Sequence, residues 1–131
     1  MKKLLLIFTL LFSTLMFSTP SYGEWTKVSE NVEGNSFYVD FERIRKHSGY
    51  VYFWKLTNYL KPTEYGDLSS KVYGEADYKK FGYKSLSFSF YKEPMGGGTG
   101  DVMEPGAKHK GWKYPSPNSS QETILKRVCS Q

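Results

Sequence analysis

The segment YVYFWKLTNYL, residues 50–60, constrains the fold more than any other part of the chain. It is dense in aromatic and β-branched side chains, which pack well on a pleated sheet, and Pro62 breaks it. In a strand, even-numbered residues from Tyr50 to Leu56 share one face and odd-numbered residues share the other. Both faces carry apolar side chains, so we expect this strand to lie near the centre of a sheet.

A second stretch, YKSLSFSFY at residues 83–91, alternates between large and small side chains. Leu86, Phe88 and Phe90 fall on one face and serines fall on the other, which is typical of a half-buried strand. Further strands are predicted in residues 24–30, 36–40 and 68–80. Residues 41–49, FERIRKHSG, are predicted to form a short helical turn or loop that ends at Gly49.

The C-terminal segment predicts a helix. Ser119 is a candidate N-cap, and Glu122 three residues later completes a capping box. Ile124 pairs with Val128, and Leu125 with Cys129, at a spacing that gives the helix one apolar stripe. A helix of about three turns is marginal in water, so it must dock on the sheet. The predicted fold class is α+β, an antiparallel sheet of about six strands with the C-terminal helix packed on one face.

Residues 92–110 separate the last long strand from this C-terminal region and are rich in glycine and proline. Loops of this length are usually functional or disordered. The GGGTG stretch within them lacks the Lys-Ser/Thr pair of a phosphate-binding loop, so we expect a flexible tip. The following WKY, residues 112–114, is a candidate for a short final strand.

The N-terminus has the pattern of an export signal. Two lysines precede an apolar run, and Ser21 and Gly23 occupy the −3 and −1 positions of a cleavage site between Gly23 and Glu24. The chain therefore divides into a signal peptide, residues 1–23, and one domain, residues 24–131. The alternative is an uncleaved N-terminal anchor.

The rest of the sequence indicates where the protein is located and which partners are not expected. No second apolar span follows the signal, so no membrane span is expected after cleavage, and no cysteine near the cleavage site could take a lipid anchor. We therefore expect a periplasmic or secreted protein. The formal net charge of +5 falls to +3 once Lys2 and Lys3 leave. This mild excess does not indicate a nucleic-acid partner.

The chain offers no recognisable catalytic or metal-binding constellation. Its histidines, His47 and His109, both sit in polar segments, without the ligand spacing of a metal site. Cys129 falls on the apolar stripe of the helix, which favours a structural role over a nucleophilic one. We expect no cofactor, no metal and no enzymatic activity.

Two sets of basic and aromatic residues are candidates for binding a partner. The first, at a predicted turn, is a contact surface for an acidic partner or a glycan and consists of Lys79, Lys80, Tyr83 and Lys84. The second, Trp112 with Tyr114 beside the long loop, is a candidate aromatic platform. The competing interpretation is a solvated turn, with rings that merely cover the edge of the sheet.

Four ordered segments together resemble the surface-adhesin protein E family. They are EWTKVSE, FYVDFERIRKHSGYVYFWKLTNYLKP, YKSLSFSFYKEPMG and ILKRVC, which span nearly all of residues 24–131. The resemblance implies an antiparallel sheet of about six strands with a C-terminal helix on one face. It also implies an exported protein of a Gram-negative bacterium that binds host extracellular-matrix and plasma proteins and can form a homodimer.

The chain departs from the family pattern at two points. It lacks the cysteine that would take a lipid, and the family's second cysteine, on the fourth strand, is replaced here by Tyr78. Cys129 matches the helix end of the family's disulfide, so the resemblance implies an unpaired thiol with Tyr78 at the missing partner position. No ligand-binding residue of the family can be transferred residue by residue.

The predicted function is a small non-enzymatic binding or envelope protein with an unidentified protein partner. One alternative is a periplasmic inhibitor or accessory protein that acts through an ordered, protruding loop at residues 92–110. A second is a secreted enzyme with an unrecognised site, which would require a deep polar cleft with at least two perturbed ionisable groups.

Overall fold

The computed structural model describes residues 24–107 and 110–131. The predicted signal peptide, with Gly23, and one of the two histidines, His109, lie outside the described residues. No helix in the described part of the chain is both long enough and apolar enough to cross a bilayer.

The described residues form one antiparallel sheet and one α-helix, with two short 3-10 turns at Phe41–Arg43 and Pro94–Gly96. The elements are β1 (Thr26–Glu30), β2 (Ser36–Val39), β3 (Arg45–His47), β4 (Tyr50–Asn58), β5 (Ser69–Asp77), β6 (Gly82–Tyr91), β7 (Asp101–Met103) and α1 (Ser120–Cys129). The strand order is β1-β2-β4-β5-β6-β7, and β3 also pairs with β4. The predicted α+β class, with its C-terminal helix packed on the sheet, is confirmed.

The central position predicted for β4 follows from its pairing. One edge pairs along its whole length with β5, from Tyr50 opposite Asp77 to Asn58 opposite Ser69. The other edge pairs with β2 in its second half and with β3 in its first half. Directly opposed residues of an antiparallel pair project to the same face, so this register fixes which side chains of β5 join each face of β4.

The prediction of a helical turn or loop for residues 41–49 is only partly correct. A 3-10 turn forms at Phe41–Arg43, but β3 follows it and pairs back on β4, with His47 opposite Tyr50. Ser48 and Gly49 both have positive φ, 51° and 87°. Two consecutive left-handed residues match the right-handed twist of a tight hairpin, so the chain reverses within two residues.

The strict alternation predicted for residues 83–91 is broken by a β-bulge. Ser85 lies opposite Gly74 and Ser87 lies opposite Tyr73, so Leu86 is an extra residue on β6. Ser85 consequently lies on the same face as Phe88 and lines the same hollow, rather than joining the other serines.

The first part of residues 92–110 is hydrogen-bonded to β4 and β5, and the flexible tip expected at GGGTG stays a prediction. Ser69 Oγ donates to the carbonyl of Glu93 at 2.6 Å and accepts from Gly96 N at 2.8 Å, and Met95 N donates to Asn58 Oδ1 at 2.8 Å. The chain then forms β7 along β6. Residues 112–114 contribute a single bridge, Lys113 opposite Tyr83, instead of a strand.

The core lies between the sheet and α1. Seven residues from β2, β4, β5 and α1 form it, all between 0% and 3% exposed: Val39, Val51, Phe53, Ala76, Ile124, Leu125 and Val128. The predicted N-cap is confirmed, because Ser119 Oγ accepts from Glu122 N at 3.1 Å. Glu122 returns its carboxylate to Asn118 N at 3.3 Å, one residue before the position that a capping box requires.

Candidate binding surface on the open face of the sheet

The sheet face opposite α1, called here the open face, carries a row of aromatic rings from the two central strands. Tyr52 and Trp54 of β4 both contact Tyr73 of β5. The ring centroids of Trp54 and Tyr73 are 4.8 Å apart, and those of Tyr52 and Tyr73 are 6.3 Å apart. These side chains are only partly buried, so they present flat apolar surface on the side of the sheet without a helix.

Cationic side chains lie between and beside these rings. The Arg43 guanidinium is 5.5 Å from the Trp54 ring centroid and 5.8 Å from that of Trp25. Lys71 Nζ is 5.9 Å from the Trp25 centroid and 4.9 Å from that of Tyr91. All four distances lie within the range of about 6 Å at which a ring quadrupole attracts a cation.

A second group of rings and a cation is joined to the first by one carboxylate. Lys84 Nζ lies 4.8 Å from the ring centroid of Trp112, which stacks on Tyr50 at 5.7 Å. Glu75 accepts a hydrogen bond from Tyr52 Oη at 3.1 Å and lies 3.4 Å from Lys84 Nζ. The pKa of the Tyr52 phenol is raised by its loss of hydration and by this bond to Glu75.

The connected side chains form what we call the aromatic–cationic array. Its members are Trp25, Arg43, Tyr50, Tyr52, Trp54, Lys71, Tyr73, Glu75, Lys84, Tyr91 and Trp112. Three of them are cations and one is an anion, so the array has an excess of positive charge.

Asp40 fixes the position of Arg43 in the array. The Asp40 side chain is fully buried, its Oδ2 lies 2.6 Å from Arg43 Nε, and its Oδ1 accepts from Glu42 N at 3.1 Å. A buried carboxylate is stable only when it is paired and hydrogen-bonded. The ion pair with Arg43 and the hydrogen bond from the 3-10 turn meet this requirement and fix the orientation of the Asp40 side chain. The guanidinium is thereby kept beside Trp25 and Trp54.

Arg45 adds a further positive charge beside the array. It lines two shallow hollows on the open face, of about 360 and 580 Å³, and Tyr73 lines both of them as well. Within the described chain no carboxylate lies in ion-pair distance of Arg45. A partner that approached this part of the face would meet an uncompensated guanidinium.

The six residues predicted to bind a partner are divided by the fold. Lys84 and Trp112 belong to the array, but Tyr83 points to the opposite face and packs against the core. Lys79 and Lys80 are exposed in a turn where their amide groups donate to Asp77 Oδ1, and Tyr114 is exposed. Each of the two predicted sets is therefore divided, and only Lys84 and Trp112 come together in the array.

Tyr78 and Cys129 line one hollow of about 420 Å³ at the end of α1, together with residues of the β3–β4 turn. Cys129 is a free thiol and half-buried. Burial and the charge of Asp77 raise its pKa, which Lys46 offsets in part. A raised pKa opposes the thiolate form that a nucleophile needs. Tyr78 as the missing disulfide partner stays a prediction.

The remaining groups with shifted pKa values do not form a polar catalytic cleft. Tyr52 lies on the open face, whereas Lys55 and Tyr83 line a hollow with mainly apolar walls on the other face. In residues 24–107 and 110–131, no group of three or more His, Cys, Asp or Glu side chains could hold a metal ion.

The open antiparallel sheet and its single helix define a small α+β domain in which one face of the sheet is left without an α-helix. The family model described as surface-adhesin protein E matches residues 25–130, and the chain belongs to that family. The resemblance noted in the sequence is confirmed.

Solved structures of protein E from Haemophilus influenzae share the fold. Crystal form II is 20% identical with a TM-score of 0.59 and covers 86% of this chain and 91% of that one. A second structure of the same protein is 19% identical with a TM-score of 0.57, covering 86% and 90% of the two chains. Protein E from the non-typeable organism is 17% identical with a TM-score of 0.54, covering 85% and 80%. A search of curated proteins finds no match.

Proposed function

We propose that this chain is an exported, non-enzymatic surface-adhesin protein that binds an acidic segment of an extracellular protein through the aromatic–cationic array. One observation carries the proposal: three cations held against rings, and Arg45 beside them, face outward on a sheet face that no helix covers. Two carboxylates already offset part of this charge, because Glu75 bonds Tyr52 and Lys84 and the buried Asp40 pairs with Arg43. Among the described residues, no carboxylate lies in ion-pair distance of Lys71 or Arg45.

The chemistry of the array suits protein recognition. Trp, Tyr and Arg dominate the binding energy of protein interfaces. The two aromatic residues bury large area with few rotatable bonds, and the planar Arg guanidinium stacks on rings and bonds carboxylates in pairs. Here the rings and cations already restrain one another, so a partner would not have to order them. An acidic segment would meet Arg45 and Lys84 and lay its apolar side chains on the rings between them.

The array is less suited to a second copy of the same chain. Two arrays face to face would bring like charges together, which is unfavourable at an interface. The homodimer implied by the family resemblance stays a prediction, and we expect any such dimer to use another surface. Sedimentation of the mature chain at several concentrations, with and without the substitution Arg45→Glu, tests both statements.

The alternative of an inhibitor acting through residues 92–110 has no comparable support. Pro94–Gly96 is bonded to Asn58 and Ser69, and Asp101–Met103 pairs with β6. The segment from residue 94 to residue 103 thus lies along the sheet rather than projecting as a protruding loop.

Binding should be measured with the mature chain, residues 24–131, against a panel of immobilised extracellular-matrix and plasma proteins. We expect Arg45→Glu and Lys84→Glu to weaken binding at least about tenfold, the scale of one lost charge-assisted contact. Lys61→Glu makes the same charge change at an exposed site away from the array, and we expect little effect.

Lys79→Glu separates the array from the turn that the sequence singled out. If Lys79→Glu abolishes binding while Lys84→Glu does not, the turn is the binding element and the proposal is wrong. Equal weakening by all four charge reversals would indicate non-specific electrostatics. Failure of the native chain to bind any protein of the panel would also count against the proposed function.

The exported location rests on the predicted cleavage between Gly23 and Glu24. N-terminal sequencing of protein from the periplasm and the medium should begin at Glu24, and the fraction that contains it decides between these locations. Recovery of the full-length chain in the membrane fraction would contradict both cleavage and release.

A further inference from the structure

A separate hollow of about 490 Å³ lies on the helix-covered face, beside the N-terminal end of α1. Its apolar wall is formed by Tyr83, Phe88 and Phe90 of β6 together with Met103 and Pro105. Its volume falls in the range of about 300–1,000 Å³ typical of small-molecule sites. It is on the opposite side of the sheet from the aromatic–cationic array, so occupancy of one would leave the other accessible.

Two lysines lie at the polar side of this hollow. Lys55 Nζ donates one hydrogen bond, to Gln121 Oε1 at 3.2 Å, and Lys113 is close enough to repel its charge. An ammonium group has three donors, and among the residues that the structure describes no carboxylate lies within ion-pair distance of either lysine. Apolar walls that end at two uncompensated cations match an amphiphile with an anionic head.

We propose that this hollow binds an aliphatic carboxylic acid, with the carboxylate on Lys55 and Lys113 and the hydrocarbon chain against Phe88, Phe90 and Met103. The carboxylate would replace the hydration that Lys55 loses by burial, and each methylene group buried against the wall adds favourable transfer free energy. An alcohol with the same chain would gain only the second contribution.

Among the described residues that line the hollow, Glu104 is the one carboxylate, and it lies on the exposed segment after β7. Its negative charge opposes a bound anion. The substitution Glu104→Gln should therefore strengthen binding of a carboxylate and leave binding of an alcohol unchanged, which is a signature that apolar adsorption alone would not give.

The first test measures binding of decanoate, below its micellar concentration, to the mature chain by isothermal titration calorimetry at pH 7. We expect decanoate to bind at least about tenfold more tightly than 1-decanol, because the head makes a charge-assisted contact. Lys55→Met keeps the aliphatic stem and should remove this preference, and Lys113→Met should reduce it. Lys126→Met, on the exposed side of α1, is the matched control and should change nothing.

The second test measures proton uptake by Lys55 when decanoate binds. Burial, with a smaller contribution from Lys113, lowers the pKa of Lys55 to about 8. Among the described residues, the other titratable groups at the hollow are Lys113, Glu104 and Tyr83, and burial raises the pKa of Tyr83 away from this range. A bound carboxylate would raise the pKa of Lys55, so binding at pH 8 should take up protons, measured as a dependence of the heat on buffer ionisation enthalpy.

Lys55→Met should bind without proton uptake. Circular dichroism of each variant, matching that of the native chain, ensures that loss of binding is not loss of folding. The proposal is overturned if decanoate shows no saturable binding, if it binds no better than 1-decanol, or if Lys55→Met leaves the preference intact. None of these results bears on the array, so this proposal and the proposed function fail independently.

Discussion

The two faces of the sheet are built from alternating residues of the same strands, yet they differ in how water is excluded. On β4, Val51 and Phe53 are 0% and 3% exposed beneath α1, whereas the neighbouring Tyr52 and Trp54 remain partly exposed on the open face. Beneath α1 the covered face is apolar and dry. The open face is aromatic and cationic and is in contact with solvent, except at Leu56, which is fully buried beside Gly96.

This difference separates stability from recognition. Burial of apolar area is the largest favourable contribution to folding, and it is concentrated beneath α1. Contacts between cations and rings on a solvated face contribute about 0.5–1 kcal/mol each, so they orient side chains more than they hold the fold. We therefore expect substitutions on the covered face to change unfolding, and substitutions on the open face to change binding.

The largest expected effect is on the covered face. Leu125 is fully buried between α1 and the sheet, so Leu125→Ala leaves a cavity that the packed neighbours cannot fill. We expect the free energy of unfolding to fall by about 2–5 kcal/mol, measured by urea denaturation with circular dichroism. A loss below about 1 kcal/mol, the usual scale of surface substitutions, would show that α1 contributes little to the core.

The second largest effect concerns the attachment of α1 to the sheet. Packing and a few polar contacts hold α1, and Tyr78→Cys should link it covalently to the sheet through Cys129. We expect the oxidised variant to be more stable than its reduced form by up to about 4 kcal/mol, a comparison that cancels the loss of the tyrosine ring. Intact mass and thiol titration detect the bond. Two free thiols under oxidising conditions would mean that residues 78 and 129 are not neighbours.

Lys55 is a charged residue on the mainly apolar covered face, and its effect on stability should depend on pH. Its folded-state pKa is lowered to about 8 from 10.5, so below pH 8 the folded protein carries a cation in an unfavourable site. Between pH 8 and 10.5 the unfolded chain binds more protons, and this contribution makes stability rise with pH. Lys55→Met removes the rise.

The free energy of unfolding of the Lys55→Met variant minus that of the native chain should therefore decrease as the pH increases from 8 to 10.5. The decrease should be at most about 3 kcal/mol, because only the native chain gains stability from the deprotonation of Lys55. Denaturation of both proteins across this range tests it, and the difference cancels the titration of other lysines. A pH-independent difference would mean that Lys55 is well hydrated in the folded state.

Asp40 connects the two faces, since it is buried yet positions Arg43 on the open face. Asp40→Asn keeps the shape but removes the charge, and we expect a loss of about 1.5–3 kcal/mol, the scale of a hydrogen bond to a charged group. Glu30→Gln is the comparison, because Glu30 pairs with Lys27 at 3.3 Å and both side chains are about half exposed, so the change should cost less. Equal costs would place Asp40 among ordinary surface pairs.

The smallest effect on stability is expected within the array itself. Lys71→Met keeps the apolar stem that lies beside Gly96 but removes the charge between Trp25 and Tyr91. We expect a change below about 1 kcal/mol in unfolding, together with weaker binding of the acidic partner. A loss of 2 kcal/mol or more would abolish the distinction between the two faces.

Most of the fold was predictable because its strands carry strong patterns. The aromatic density of β4 and the capping residues of α1 are local signals that do not depend on the rest of the chain. β3 was missed because Arg45–His47 has no apolar residue, and only its pairing with β4 makes it a strand. β7 was missed because Asp101–Met103 is only three residues long, is exposed throughout and follows a run of glycines.

The candidate site was less predictable, because it depends on register. The sequence placed Tyr50, Tyr52 and Trp54 on one face of β4, and the structure agrees. Which residues of other strands join them is set by strand pairing, which periodicity does not give. Tyr83 and Lys84 are adjacent in sequence but project to opposite faces, so a cluster chosen by proximity in the chain was divided.

The array also gives the protein an intrinsic optical reporter. All three tryptophans of the chain, Trp25, Trp54 and Trp112, belong to the array, and the buried core beneath α1 contains none. Their fluorescence therefore reports the environment of the open face and not the packing of the helix. A ligand laid across the array would shift this emission, whereas local fraying of α1 would leave it almost unchanged, so occupancy can be followed in the native protein without a label.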